Sequence, residues 1–261
     1  MLKRFFLAVL LFVAAGRAAA VDYTDIWYIP AEAGWGVNVV QSDAFLFITF
    51  FVYGADGKPT WFTGQVTTQD AGKTFNGTLY ATTGTYYLSP WAGFSGGPAG
   101  TVSFQPLGPY TAKLIYTVTG VGTVTKFIQR QNLTAITVGG AYSGAQTGTY
   151  SNCSMSATNS SYRDFFDLQV TQLRDPTGVT DGTVTFVFAY TNFSCTFSGT
   201  LVLHGQLYSV PVASYQCTDG LMTSAAMTEI KATAQGVEGR FSAPSVGGNC
   251  REDAQFSGVL R

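Results

Sequence analysis

The single histidine, His204, is the first place to look for chemistry. It stands beside Gly205 in a turn-forming pair, with no serine or aspartate at the spacing of a hydrolase motif. A Ser-His-Asp triad would have to be gathered around this one imidazole from distant strands. The chain has no H-E-x-x-H or phosphate-loop pattern, and His204 reads as a solvated turn residue. Carboxylates are the other route to hydrolysis, because two of them flanking a glycosidic bond can supply acid and nucleophile. Asp22 and Asp25 flank a Trp-bearing lead-in, Glu32 precedes Trp35, and Asp164 and Asp167 bracket Phe165-Phe166. Asp56, Asp181 and Asp219 each precede a glycine, where aspartate serves its own backbone. Asp22 with Asp25 is a thin calcium site. No catalytic residue, cofactor or metal is assigned from these patterns.

The cysteines point to a compartment instead. Cys153, Cys195, Cys217 and Cys250 all lie in the second half, without a C-x-x-C pair, so zinc is a poor fit. An even number in an exported chain reads as two disulfides. Of the three pairings, Cys153–Cys195 with Cys217–Cys250 is expected, because each bond then closes a modest loop. Export is read from the start of the chain. Met1–Arg4 is basic, Phe5–Ala15 is an apolar run too short to span a bilayer, and Ala18-Ala19-Ala20 fits an A-x-A site. Residues 1–20 are therefore expected to be a leader cleaved near Ala20, with a secreted or periplasmic product. The 14 basic residues, less Lys3, Arg4 and Arg17, leave 11 against 15 acidic ones. With no basic cluster, nucleic acid is excluded as a partner.

Aromatic content carries the non-catalytic signal: 20 Phe, 14 Tyr and 4 Trp. In "AFLFITFFVY" (44–53) both strand faces are apolar, so one is expected to fill a barrel and the other to meet a neighbour such as a second unit. Tyr86-Tyr87 and Trp91, in and before the Gly/Pro-rich segment 89–100, are the aromatics expected in the open. A small apolar molecule or a glycan is the partner class that such rings fit.

The elements that must position these residues are strands. Thr, Val, Tyr and Phe abound, turn signals recur about every ten residues, and helical periodicity is nearly absent. Only 221–233 could pass as a helix. The fold expected is all-β: two tandem antiparallel meander or barrel-like units of about eight strands each, over 21–131 and 147–261, with 132–146 as the joint. In the first unit, strands are predicted at 36–41, 45–53, 60–67, 74–81, 84–88, 100–105, 110–119 and 122–130. "GADGKP" (54–59) is the clearest hairpin turn. Closing into a barrel removes exposed edges. Eight strands leave an interior that side chains fill or that holds one small ligand.

The first unit resembles a domain of exported bacterial proteins of unknown function. The likeness rests on "DYTDIWYIPAEAGWGVNVVQ" followed by "FLFITFFVYGADGKPTW", with Ala33 where that family often has serine. More loosely it is similar to lipocalin and avidin barrels, in which a Trp on the first strand packs across the floor against an Arg from the last. That resemblance implies Trp35 and Arg130 as the closing pair. The candidate ligand residues are Trp27, Trp35, Asn38, Tyr53 and Trp61. The function expected is an exported, non-catalytic β-barrel protein that binds a ligand or engages a surface. Its rivals are an outer-membrane barrel and a secreted carboxylate-based glycan hydrolase.

Overall fold

The computed structural model describes residues 21–133, 135–155, 159–174, 181–245 and 250–261; the expected leader and its cleavage point lie outside them. The first unit contains β1 (Asp25–Tyr28), β2 (Gly36–Ser42), β3 (Phe45–Tyr53), β4 (Pro59–Thr67), β5 (Phe75–Gly84), β6 (Phe94–Pro106), β7 (Thr111–Val118) and β8 (Gly122–Arg130). Each pairs antiparallel with the next, and β1 returns to β8 through Trp27↔Arg130, which closes the barrel. The period of two places Leu46, Ile48 and Phe50 of β3 inside and fully buried, while Phe51 and Tyr53 face out. The outer face of β3 is therefore not covered by the second unit, contrary to the expectation for "AFLFITFFVY".

The barrel interior is packed with apolar side chains. Trp27, Ile48, Phe50, Phe75, Leu79 and Phe104 are buried in one cluster within it. A Cβ added to Gly64 would meet Val102 at 2.9 Å and Ile48 at 3.5 Å, so even the glycine position is filled by its neighbours. Two elements differ from the strand prediction. β1 is only four residues long, too short for an alternation to show. The expected strand at 84–88 is a turn, and β6 begins at Phe94, inside the segment read as a loop. Its glycines hide a strand that pairs Gly84 with Phe94 and Ala81 with Gly97.

The second unit contains β9 (Gly140–Ser151), β10 (Ser160–Leu173), β11 (Thr183–Ala189), β12 (Ser194–Thr200), β13 (Val202–His204), β14 (Leu207–Cys217), β15 (Met222–Ala232), β16 (Gly236–Pro244) and β17 (Arg251–Leu260). Its nine-stranded sheet runs β12-β11-β10-β9-β17-β16-β15-β14-β13, and β12 also pairs with the far half of β14. That second pairing returns the sheet on itself, leaving β13 as a short extra strand on the near half of β14. The segment 221–233, which could pass as a helix, is strand β15. β9 starts at Gly140, inside the stretch read as the joint. Its Gly-Ser-Ala composition does not look like strand, yet a Cβ on Gly144 would lie 2.1 Å from the Ser257 carbonyl, so only glycine fits there.

The disulfides are Cys153–Cys250 and Cys195–Cys217, which corrects the pairing expected from loop lengths. Register decides it: Cys195 and Cys217 stand directly opposite one another on β12 and β14. Cys250 precedes Arg251, which is paired with Ser151 near Cys153. Two disulfides suit an oxidising, extracytoplasmic environment.

Candidate functional site

The structure separates the five candidate ligand residues. Trp27 is fully buried at one end of the first barrel, with the Arg130 guanidinium 4.9 Å from its ring centroid. It is Trp27, not Trp35, that meets Arg130. The register Trp27↔Arg130 places them side by side, whereas Trp35 follows the short 3-10 turn Pro30–Glu32 at the opposite rim. There its indole N–H donates to Glu32 at 2.9 Å, and Lys126 lies 5.5 Å from the ring while its ammonium contacts the same carboxylate at 2.7 Å. Asn38 alternates with the buried Val37 and Val39, so it points to the outside of the wall. Tyr53 and Trp61 are also outside, with Phe51 directly opposite Trp61. These residues do not line a common cavity.

At the Trp27 end, Arg130 and Asp25 are both buried and form an ion pair at 3.1 Å. The guanidinium also donates to the carbonyls of Pro109 (2.8 Å), Thr24 (3.2 Å) and Asp22. Asp25 accepts from the amides of Ile26 (2.9 Å) and Gln206 (3.1 Å). Gln206 belongs to the β13–β14 turn, so the second unit reaches into the floor of the first. Gly205 in that turn has φ +66°, and a Cβ there would lie 2.3 Å from the Asp25 Oδ2. Asn132 accepts from the Gly205 amide at 2.6 Å. A bulge in β15 gives Glu229 a φ of 52° and frees its amide, which donates to the Tyr110 hydroxyl at 2.8 Å. The two units are thus fastened by side chains as well as by the joint.

His204 belongs to this junction. It is not a solvated turn residue: its ring stacks on Tyr110 at 4.0 Å and 10°, and Nε2 lies 3.1 Å from Ser209 Oγ. Burial, and secondarily the charge of Arg130, push its pKa down, while Asp181 pulls the other way. A serine–histidine pair is one step of a nucleophile relay, but Ser209 is buried and cannot meet a substrate. A cleft of about 290 Å3 opens beside the pair, lined by Tyr110, Gln129, Arg130, Asn132, Leu203 and His204. Its polar atoms are largely engaged in holding the units together.

Of the carboxylates considered for hydrolysis, Asp25 is tied to Arg130, and Glu32 to Lys126 and Trp35. The Lys126 bond, followed by the Trp35 bond, lowers the Glu32 pKa. Among the described residues no group of three or more His, Cys, Asp or Glu gathers to hold a metal ion.

The buried acid that the sequence did not single out is Glu252 on β17. Its carboxylate accepts from the Tyr162 hydroxyl, and Tyr162 in turn accepts from Gln146, whose Oε1 accepts from Tyr190 at 2.8 Å. Burial raises the Glu252 pKa, the Tyr162 bond opposes it, and Asp164 and Asp253 add to the rise. The Tyr150 hydroxyl is pushed up to about 12, by burial and then by Glu252. This satisfied network fills the disulfide-bearing end of the second unit.

The remaining feature lies in the open. β5 pairs with β4 only as far as Tyr80, and β6 pairs with β7 only from Gly100. Between these points the two strands pair with each other alone, except that the Ala99 carbonyl accepts from the Thr119 amide, so 81–98 is a two-stranded arm. Its tip is held by Thr85, whose hydroxyl donates to the Gly93 carbonyl (2.9 Å) and accepts from the Ala92 amide (3.0 Å). Gly93, at φ +104°, takes a backbone form that other residues rarely adopt. Tyr86, Tyr87, Leu88, Trp91 and Phe94 stand on this tip at 60–84% exposure. No charged residue or histidine occurs between Lys73 and Lys113. Compared with protein-family models, with curated proteins and with solved structures, the chain matches none.

Proposed function

We propose that this is an exported, non-catalytic binding module that engages its target with the outside of the first barrel rather than with an enclosed cavity. The observation that carries the reading is the arm: five large apolar side chains exposed together on a hydrogen-bonded tip. Soluble proteins seldom leave contiguous apolar patches uncovered unless the patch is used. The interior of the first barrel supports contact through its surface, because it is occupied by a buried apolar cluster. Phe51, Trp61 and Tyr53 extend the apolar surface down the wall near the base of the arm. The rim and the tip, not Asn38 or Trp27, carry the contacts. Two disulfides and the basic-apolar N-terminus are consistent with function outside the cytoplasm.

The outer-membrane alternative is not favoured by the wall. Thr101, Ser103 and Gln105 of β6 and Lys113 of β7 alternate with buried apolar residues and so face outward. A lipid-facing barrel has the opposite arrangement, with an apolar band outside. Of the carboxylates considered for the hydrolase alternative, Asp25, Glu32 and Asp167 are each held in an ion pair.

The test is a binding panel of glycans, apolar small molecules and lipid, run on the full chain and on Leu88→Ser/Trp91→Ser. A target whose binding is lost in the variant, with the unfolding transition unchanged, supports the reading. Binding that survives the variant for every target on the panel refutes it, as does turnover of any glycan.

A further inference from the structure

We infer that the tip of the β5–β6 arm docks in the interface of a phospholipid bilayer, as a surface anchor and not as a spanning element. This rests on the arm being the docking surface proposed above and names its partner. Three observations select a bilayer.

The first is reach. Four residue pairs, Ala81↔Gly97 to Gly84↔Phe94, lie beyond the last strands shared with the barrel. At about 3.3 Å per residue they carry the tip roughly 13 Å past the point where β5 leaves β4.

The second is chemistry. Tyrosine and tryptophan are the side chains that settle at headgroup depth, and Leu88 and Phe94 supply apolar bulk for the acyl boundary. The absence of charge between Lys73 and Lys113 removes the cost of desolvating an ionised group. It also removes any means of attracting anionic headgroups, so neutral phosphatidylcholine is a sufficient target.

The third is what the tip lacks for other partners. A sugar platform needs a flat aromatic face with hydrogen-bonding side chains around it. Tyr86 and Tyr87 are inclined at 61°, and the Thr85 hydroxyl is already used within the tip. A second copy that added a strand to the arm would meet Pro98, which lacks an amide hydrogen, on a glycine-rich edge.

The experiment uses the full chain with phosphatidylcholine vesicles, read by co-sedimentation and by tryptophan quenching with lipids brominated on the acyl chain. Binding is expected, insensitive to added salt because no charge is involved. Leu88→Ser/Trp91→Ser is expected to weaken partitioning about a hundredfold, on the order of tenfold for each side chain withdrawn. Trp91→Phe is expected to keep the partitioning and lose most of the bromine quenching, because Trp91 is the indole in lipid. All these positions are exposed, so a folded variant is assured by an unchanged unfolding transition. Binding that salt abolishes, or that the double variant leaves intact, overturns the inference. No vesicle binding, with self-association or glycan binding that the double variant abolishes, overturns the bilayer as partner and leaves the docking role standing. No arm-dependent binding of any kind overturns both.

Discussion

The Asp25–Arg130 pair allows a prediction that departs from the usual behaviour of buried ion pairs. Replacing both partners of such a pair with apolar residues is often neutral, whereas removing one costs about 3–5 kcal/mol. Here the pair also serves five backbone groups. Arg130 donates to the carbonyls of Pro109, Thr24 and Asp22, and Asp25 accepts from the amides of Ile26 and Gln206. Asp25→Ala leaves a guanidinium that is 1% exposed without its counter-ion, and a loss of about 3–5 kcal/mol is expected. Asp25→Leu/Arg130→Met removes the charge problem but leaves those backbone groups without partners at the floor. At about 1 kcal/mol for each unsatisfied group, the double variant should still lose at least roughly 3 kcal/mol. The assay is urea unfolding of the full chain, followed by the emission of the buried Trp27. A double variant restored to wild-type stability would refute the reasoning, since it would mean that water or local movement satisfies the backbone without Arg130. So would a single variant that loses less than about 1 kcal/mol.

The two indoles first considered for the barrel end should separate cleanly: Trp27→Ala is expected to cost about 3–5 kcal/mol, and the rim substitution Trp35→Ala about 1, by the same unfolding measurement. Replacing Cys195 and Cys217 with serine opens a loop spanning 22 residues and should cost about 3 kcal/mol, while the Cys153–Cys250 bond, spanning 97, should be worth between about 4 and 5. Glu252 has a raised pKa in the fold, so its protonated form favours folding. Its contribution is full below the unfolded-state value near 4.5 and is lost as pH rises through the folded value, and Glu252→Gln should flatten that part of the stability–pH curve. His204 has a depressed pKa, so its contribution is full above the ordinary value of 6.5 and falls as pH drops below it. His204→Gln should remove that acid-side loss; a curve identical to wild type would contradict the burial of the ring against Tyr110.

What the sequence determined by itself is local. Most of the strands follow from β-forming composition and from Asp-Gly or Gly-rich turns: the hairpin over "GADGKP", the strand beginning at Phe45 and the run ending at Arg130. A period of two and a turn residue need only near neighbours, so they can be read without the fold. Tertiary structure decided the rest, because each remaining choice depends on register between strands far apart in the chain. Trp27 and Trp35 look alike in the lead-in, and only the β1–β8 register assigns Arg130 to Trp27. Cysteine spacing offered three pairings, and the β12–β14 register left Cys195 facing Cys217. His204 looked solvated because Tyr110, which covers it, belongs to the other unit. Glu252 looked like one more acid until β17 turned it inward toward Tyr162. The apolar tip was partly visible in Tyr86-Tyr87 and Trp91. That it stands clear of the barrel follows only from where β4 and β7 stop pairing with their neighbours.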